Sequence, residues 1–166
     1  MKFLEGADAE EAQTFFMAAA KCAEKATCRK SYCGSVIVSG GEIIGEGYNS
    51  PAGELEENRT CEAVYTSTKK PLFDKTCCIH AEWRAILDAC KRNPEKIPGS
   101  RLYFMRIDDQ GNVLKSGEPY CTVCSRLTLE AGIAEFALWQ EKGMAVWDAA
   151  EYDRASYAYF TDNQTN

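Results

Sequence analysis

The 166 residues are 45% hydrophobic and 27% charged, the composition of one globular domain with its own core and not of a disordered tail protein. Lys and Arg number 19 against 25 Asp and Glu, a formal net charge of −6, which argues against tight non-specific binding to duplex DNA. Apolar runs such as Phe15 to Ala20 or Phe136 to Trp139 fall far short of the roughly 20 residues that cross a bilayer, so no membrane span is expected.

Along the chain, Met1 to Asp8 carries one lysine and then acid, where a secretory signal would have a basic stretch before an apolar segment, so a cytosolic protein is expected. Residues 8–25 place Phe15, Ala19, Cys22 and Ala26 at helical spacing, with acids first and lysines last. Ser35–Ser39 and Glu42–Tyr48 read as strands joined by Gly40-Gly41, a two-residue hairpin signal. Residues 49–78 are rich in Pro, Gly, Asn and Glu and read as a long loop with a short helix near 60–67; so long a loop in a compact domain is usually functional. From His80 the pattern turns helical, with Trp83, Ile86, Leu87 and Cys90 on one face, until Asn93-Pro94 stops it. Arg101–Ile107 is a predicted strand, Asp108 to Asn112 a turn, and Val113–Gly117 a short returning ribbon. A helix over Cys121–Ala131 closes at Gly132, strands follow at Glu135–Trp139 and Met144–Trp147, and a last helix covers Tyr152–Phe160 before a tail, 161–166, expected to fray. The order αββαβαβ(β)α predicts a three-layer α/β fold with a mixed sheet of about five strands and helices on both faces. It forms a single domain with its core over about residues 8–160.

Nine cysteines, odd in number and with Cys77 beside Cys78, point in a chain without a secretory signal to buried thiols, catalysis or metal instead of a disulfide framework. There is one histidine, His80, so any imidazole chemistry must use it. His80-Ala81-Glu82 opens one predicted helix, and Pro119-Tyr120-Cys121-Thr122-Val123-Cys124 opens another. Cys121 and Cys124 share one face of a first turn, where the helix dipole and free N–H groups favour thiolates. One imidazole and two thiolates suit Zn2+ and leave a fourth tetrahedral position for water, which distinguishes a catalytic from a closed structural site. His80, Cys121 and Cys124 are therefore the expected ligands of one catalytic zinc. With two thiolates the net charge at the metal is near zero, enough to lower the pKa of a bound water toward neutrality. Glu82, two residues past the histidine, can reach that water without being a ligand, take its proton, and deliver it to a ring nitrogen and then to leaving ammonia.

This combination resembles the zinc-dependent cytidine and deoxycytidylate deaminase superfamily. The resemblance runs from about Ala18 to about Trp139, since the hairpin, the Gly47-Tyr48-Asn49 turn and the helix order also fit. It implies a cytidine-deaminase-like fold and a zinc-dependent hydrolase that converts a cytosine-containing nucleoside or nucleotide, dCMP-like, to the uracil product with release of ammonia. It also implies a homo-oligomer, and substrate contacts from Ala81 and from Asn49, whose segment Gly47 to Gly53 resembles one that touches the sugar; the plainer reading of Asn49 is a turn starter before Ser50-Pro51. Some deoxycytidylate deaminases carry a second, structural zinc, whose ligand positions correspond here to Cys28, Cys61 and Cys78, with Cys33 or Cys77 as a fourth. The alternative is ordinary buried thiols, as Cys22 and Cys90 are read from their apolar helix faces.

The chain departs from the family pattern at Tyr120, which separates Pro119 from Cys121, at Trp83-Arg84-Ala85 in place of Met-Asn-Ala, and in the extra turn around Asp109 to Gly117. Trp83, Tyr120, Trp139 and Trp147 could stack on a base, although aromatics at such spacing are more often core, and Tyr152, Ser156 and Tyr159 share a helix face that would dock on the sheet. Lys69, Lys70, Arg84, Arg106 and Lys115 are candidates to meet a substrate phosphate, with none singled out. Two other functions are weighed. A deaminase of single-stranded nucleic acid or tRNA would show a basic groove with aromatics, and a non-enzymatic zinc-stabilised module would keep Glu82 away from the metal. The expected partner is a free nucleoside or nucleotide, with no duplex DNA and no membrane.

Overall fold

A computed structural model describes residues 1–61 and 77–162, the side chains of 160–162 excepted. Most of the expected short helix near 60–67, Lys69, Lys70 and the end of the tail lie outside the described residues. In chain order the elements are β1 (Lys2–Phe3), α1 (Gly6–Ala23), β2 (Tyr32–Ser39), β3 (Glu42–Tyr48), β4 (Ser50–Pro51) and β5 (Cys78–Ile79). They continue with α2 (Ala81–Arg92), β6 (Arg101–Ile107), β7 (Val113–Leu114), α3 (Thr122–Glu130), β8 (Glu135–Gln140), β9 (Gly143–Asp148) and α4 (Ala149–Asp162).

The main sheet runs β1-β9-β8-β6-β2-β3, with β7 added alongside β6. Its five longer strands are the expected ones, and the two-residue β1 and β7 extend it. β6 and β8 are parallel, joined through α3, and the other pairs are antiparallel. Gly40 and Gly41 both take positive φ, 56° and 80°, which a two-residue hairpin needs and glycine accepts without strain. α4 starts earlier than the apolar pattern at Tyr152 implies because Asp148 Oδ1 accepts from the N–H groups of Ala150 and Glu151, at 3.0 and 3.2 Å.

Alternation along β6 divides the core. Tyr103, Met105 and Ile107 face α1, against Ala12, Phe16, Ala19 and Ala23. Leu102 and Phe104 face the other way, toward Ala85, Ile86 and Ala89 of α2 and toward Phe136 and Tyr152. Tyr152 stacks on Phe136 with ring centroids 3.8 Å apart and Ser156 is fully buried, so two of the three residues expected to dock α4 do so. Tyr159 instead stays exposed beside Tyr120, 5.9 Å between ring centroids.

The face of α2 differs from the one expected. Its buried stripe is Ala81, Glu82, Ala85, Ile86 and Ala89, while Leu87 and Cys90 are exposed. The cause lies on β3, where Gly45 and Gly47 remove the side chains that would hold the helix off. A Cβ on Gly47 would lie 2.1 Å from the Ala81 carbonyl oxygen and 2.4 Å from the Ala85 nitrogen. The small-residue face therefore seats on the sheet together with Ile86, while Leu87 and Cys90, which suggested a different face, turn outward. Gly47→Ala is expected to destabilise the fold by about 1–3 kcal/mol, because rigid backbone must give way. Gly117→Ala, with nothing within 4 Å and no positive φ, should stay within about 0.5 kcal/mol of wild type. Urea midpoints for the two variants check this, and equal midpoints would contradict it. No helix among the described residues is long and apolar enough to cross a membrane.

Candidate active site

Two helix starts converge on the α2 side of the sheet. β4 pairs with β5, Ser50 opposite Ile79 and Pro51 opposite Cys78, which ties together the two ends of the long loop and delivers His80 to the N-cap of α2. Arg84 strengthens the tie: its guanidinium donates to Ser50 Oγ at 2.7 Å, to the Pro51 carbonyl at 3.0 Å and to Glu54 at 2.9 Å. Cys121 is the N-cap of α3, its sulfur accepting from the Cys124 N–H at 3.5 Å, and Cys124 follows one turn on, fully buried.

His80 Nδ1 stands 3.1 Å from Cys124 Sγ and 3.6 Å from Cys121 Sγ, and the two sulfurs are 3.1 Å apart. Bond lengths of about 2.3 Å to sulfur and 2.0–2.1 Å to nitrogen give a zinc tetrahedron edges of roughly 3.5–3.8 Å, so small adjustments suffice to fit the ion. This is the one group of three or more His, Cys, Asp or Glu side chains among the described residues with ligand atoms gathered within 4.8 Å. The donor set, soft thiolates plus an imidazole with three positions filled, fits a zinc site with an open coordination position. The His80 ring stacks on Trp83, 5.1 Å between centroids, which fixes its plane.

The charges are already graded. A hydrogen bond from the Cys124 thiol, with further help from His80 and the Cys124 N–H, holds Cys121 down to about 4. Burial pushes Cys124 the other way, well above the usual thiol range. His80 is raised: burial opposes its charge, but the hydrogen bond to Cys121 and the nearby Glu82 carboxylate outweigh burial. Glu82, 7% exposed, is raised chiefly by burial and shares a hydrogen bond with Cys124. A buried carboxyl thus stands at the edge of the cysteine–histidine cluster, its charged form disfavoured by burial.

A cavity of about 140 Å³ opens beside these groups, and Asn49, His80, Ala81, Glu82 and Cys121 all line it. Asn49 is 6% exposed. It accepts from the Cys33 N–H and donates to the Ser31 carbonyl, both at 2.9 Å, so it clasps the start of β2 while keeping one N–H and one lone pair. Ala81 contributes backbone at a helix N-terminus, where N–H groups are unpaired within the helix.

The other expected residues separate. Of the aromatic candidates, Tyr120, 57% exposed, lines the cavity, whereas Trp147 is core, Trp139 packs on Phe16, and Trp83 backs His80. Among the described basic candidates, Arg84 is spent on the loop and Lys115 lies over the Trp139 ring at 3.3 Å, while Arg106 lines the cavity. Ser31, Ser116 and Glu118 line it too and were not anticipated; for Glu118, its place just before Pro119 and Tyr120 was the available signal. Cys28, Cys61 and Cys78 do not gather as His80, Cys121 and Cys124 do. Contacts run instead in a chain, Cys28 with Cys78 and Cys77 with both Cys61 and Cys78.

Comparison with known proteins agrees with this arrangement. A family model described as the cytidine and deoxycytidylate deaminase zinc-binding region matches residues 9–139. A search of curated proteins finds no match. Among solved structures, the chain is similar to the apo dCMP deaminase of the cyanophage S-TIM5, with 20% identity over 76% of this chain and 80% of that one and a TM-score of 0.51. The same phage enzyme in complex with dCMP and dUMP gives 19% identity over 76% and 79%, with a TM-score of 0.50. A cytidine deaminase from Burkholderia pseudomallei gives 17% identity over 84% and 94%, with a TM-score of 0.55. At these identities the structural likeness speaks for the fold; the family match over most of the chain goes further, and the chain belongs to the cytidine and deoxycytidylate deaminase zinc-binding family.

Proposed function

We propose that the protein is a zinc-dependent hydrolytic deaminase that converts a cytosine-containing nucleoside or nucleotide to the uracil product and ammonia. The observation that carries this reading is Glu82, buried against a three-donor His80, Cys121 and Cys124 cluster at the wall of a cavity. A structural zinc module would have no use for a buried carboxyl there. His80, Cys121 and Cys124 would hold the zinc, which when bound supplies a Lewis acid and a water acidic enough to ionise near neutral pH.

The chain's own residues do the rest. Glu82 takes a proton from the attacking water through a carboxylate oxygen and delivers it to N3 of the pyrimidine, so that a C–O bond forms at C4. The second water proton passes the same way to the exocyclic nitrogen, the C4–N bond breaks, and ammonia leaves with the product as a carbonyl. Ala81 offers its helix-end N–H to the base, and Asn49 offers its remaining N–H and lone pair to the sugar. Tyr120 stands at the mouth, where a ring can cover a bound base.

Ammonia release from free cytosine nucleosides and nucleotides, tRNA and single-stranded DNA at matched salt tests this reading. Turnover of the small molecules is expected, with negligible duplex binding, as the −6 net charge supports. Submicromolar polymer binding with deamination confined to the polymer would overturn the substrate class.

The same reading extends to a second, structural zinc on Cys28, Cys61 and Cys78, supported by the thiol contacts among Cys28, Cys61, Cys77 and Cys78. Closing such a site would pin the long loop beside α2. Two zinc ions per chain, falling to one in Cys61→Ala, are expected; a single zinc in metal-replete wild type would remove this site.

A further inference from the structure

One side chain on α2 grips both flanks of Asn49. Arg84 sits one helical turn past His80, its N–H donating to the His80 carbonyl at 3.2 Å. Beyond Asn49, its guanidinium donates to Ser50 Oγ at 2.7 Å, to the Pro51 carbonyl at 3.0 Å and to Glu54 at 2.9 Å. Before Asn49, it lies 5.5 Å from the centroid of the Tyr48 ring. Glu54 also accepts from the Tyr48 hydroxyl. Among the described residues Glu54 is the one non-glycine with positive φ, 62°, a conformation that persists only where contacts over-determine it.

Asn49 is fixed from the opposite side by other bonds. Its N–H donates to the Cys33 carbonyl and its carbonyl accepts from the Thr27 N–H, both at 3.2 Å, while its side chain clasps Cys33 and Ser31. Those bonds set it against β2, and its spacing from the start of α2 falls to the residues that follow it. The backbone pairing there is slight, since Ser50 opposite Ile79 and Pro51 opposite Cys78 make up the whole ladder, and two strands so short are marginal alone. Three N–H···O bonds from one planar guanidinium supply the rigidity that the ladder lacks. The Arg84 side chain is only 18% exposed, so water competes poorly for those bonds. Position 84 is also one at which the chain departs from the family pattern, and the Asn of that pattern, with two N–H donors on a shorter stem, could not meet all of these partners.

A sugar contact from Asn49 is only as good as its register with the base site at His80 and Ala81, because a small misplacement forfeits a hydrogen bond. Arg84 is the side chain that spans this distance, and its guanidinium makes no hydrogen bond to His80, Cys121 or Cys124. We propose that Arg84 is a positioning residue: by clamping Tyr48, Ser50, Pro51 and Glu54 onto α2 it holds Asn49 in register with the base site and so sets the grip on the substrate's sugar, leaving the chemistry at the metal untouched. The proposal rests on the deaminase reading above for the identity of the substrate.

Calorimetric binding of deoxyuridine and dUMP, which both carry the sugar and undergo no turnover, tests it on zinc-loaded wild type, Arg84→Gln, Asn49→Ala and the double variant. With the tighter of the two ligands, Arg84→Gln is expected to weaken binding by roughly 5- to 30-fold while zinc content holds. In the Asn49→Ala background the same substitution should cost less than about twofold, because its effect runs through Asn49. A side chain that merely stabilises the fold would act alike with and without Asn49. Losses that add in the double variant, an Arg84→Gln protein within about twofold of wild type, or no binding of either ligand by wild type would overturn the proposal. Glu54→Gln keeps the test open should another variant fail to fold, since that side chain is 53% exposed. It should weaken binding by roughly 2- to 5-fold, and unchanged affinity would remove the clamp. On the preferred substrate, Arg84→Gln should raise KM by a factor similar to its loss in binding and leave kcat within about threefold. The deaminase reading is judged separately, by ammonia release: turnover with KM unchanged in Arg84→Gln sinks the Arg84 assignment alone, and Asn49-dependent losses in binding without turnover on any substrate sink the deaminase reading alone.

Discussion

His80→Ala and Cys121→Ala are each expected to lose the catalytic zinc, about one ion per chain, while an ion on Cys28, Cys61 and Cys78 stays, and to reduce deamination to background. Three donors are gathered to hold the ion and each variant removes one of them, while the described residues offer no second cluster with ligand atoms gathered within 4.8 Å. Binding at such sites is worth about 10–16 kcal/mol where it is closed by four ligands, so losing one of three donors removes a large share of a smaller total. The fold should survive. Cys121 caps α3 through a long 3.5 Å contact, and its loss as a cap costs about 1 kcal/mol. Cys124→Ala is the less clean experiment, since Cys124 is fully buried and its removal also leaves a void. Metal analysis together with circular dichroism reads both effects. Full zinc content retained in both His80→Ala and Cys121→Ala would end the assignment of the site.

The gathering of His80, Cys121 and Cys124 was readable in the sequence because helix starts are written locally. His80 is the sole imidazole, Cys121 and Cys124 are one turn apart, and stop signals at Asn93-Pro94 and Gly132 mark where each helix ends. The hairpin was equally legible from Gly40-Gly41. What sequence spacing misjudged was the buried face of α2. Trp83, Ile86, Leu87 and Cys90 looked like the apolar side, and Ile86 is indeed buried, but the partner surface on β3 is a pair of glycines, and such a surface selects alanines for the rest of the stripe. A helical periodicity argument sees one element and is blind to the shape of its neighbour. β1 and β7 were missed or left vague for a different reason: two residues carry no period. Arg106 sat undistinguished among five basic candidates until strand alternation and the pairing of the other described ones with loop or ring separated it.

The geometry also orders the roles within the site. The thiolates and the imidazole come from two different helix starts, so the metal would tie α2 to α3 as well as activate water. Glu82, one residue into the α2 stripe that seats on the sheet, has its position set by Gly45 and Gly47 through the helix and not by its own contacts alone. Misplacing α2 is therefore expected to hurt the proton carrier and the histidine together.

Glu82→Gln separates these contributions. Gln keeps the size and much of the hydrogen bonding of the buried side chain but cannot accept and return a proton. The variant should fold, retain its zinc and bind the product with little change, yet lose kcat by about 10²–10⁴, the range that a positioned acid–base group contributes. Burial has already raised the Glu82 carboxyl above its ordinary pKa, which makes it a better base than a solvated glutamate and an effective donor once protonated. Removing that group leaves substrate, water and metal in place with nothing to move two protons from the water to N3 and then to the leaving nitrogen. The loss should fall on kcat while KM moves by less than about threefold, since Glu82 acts on the reacting atoms and not on the ground-state grip. Single-turnover assays on zinc-loaded protein measure this directly. A Glu82→Gln enzyme within about threefold of wild-type kcat on its preferred substrate would mean that the proton path runs through another residue.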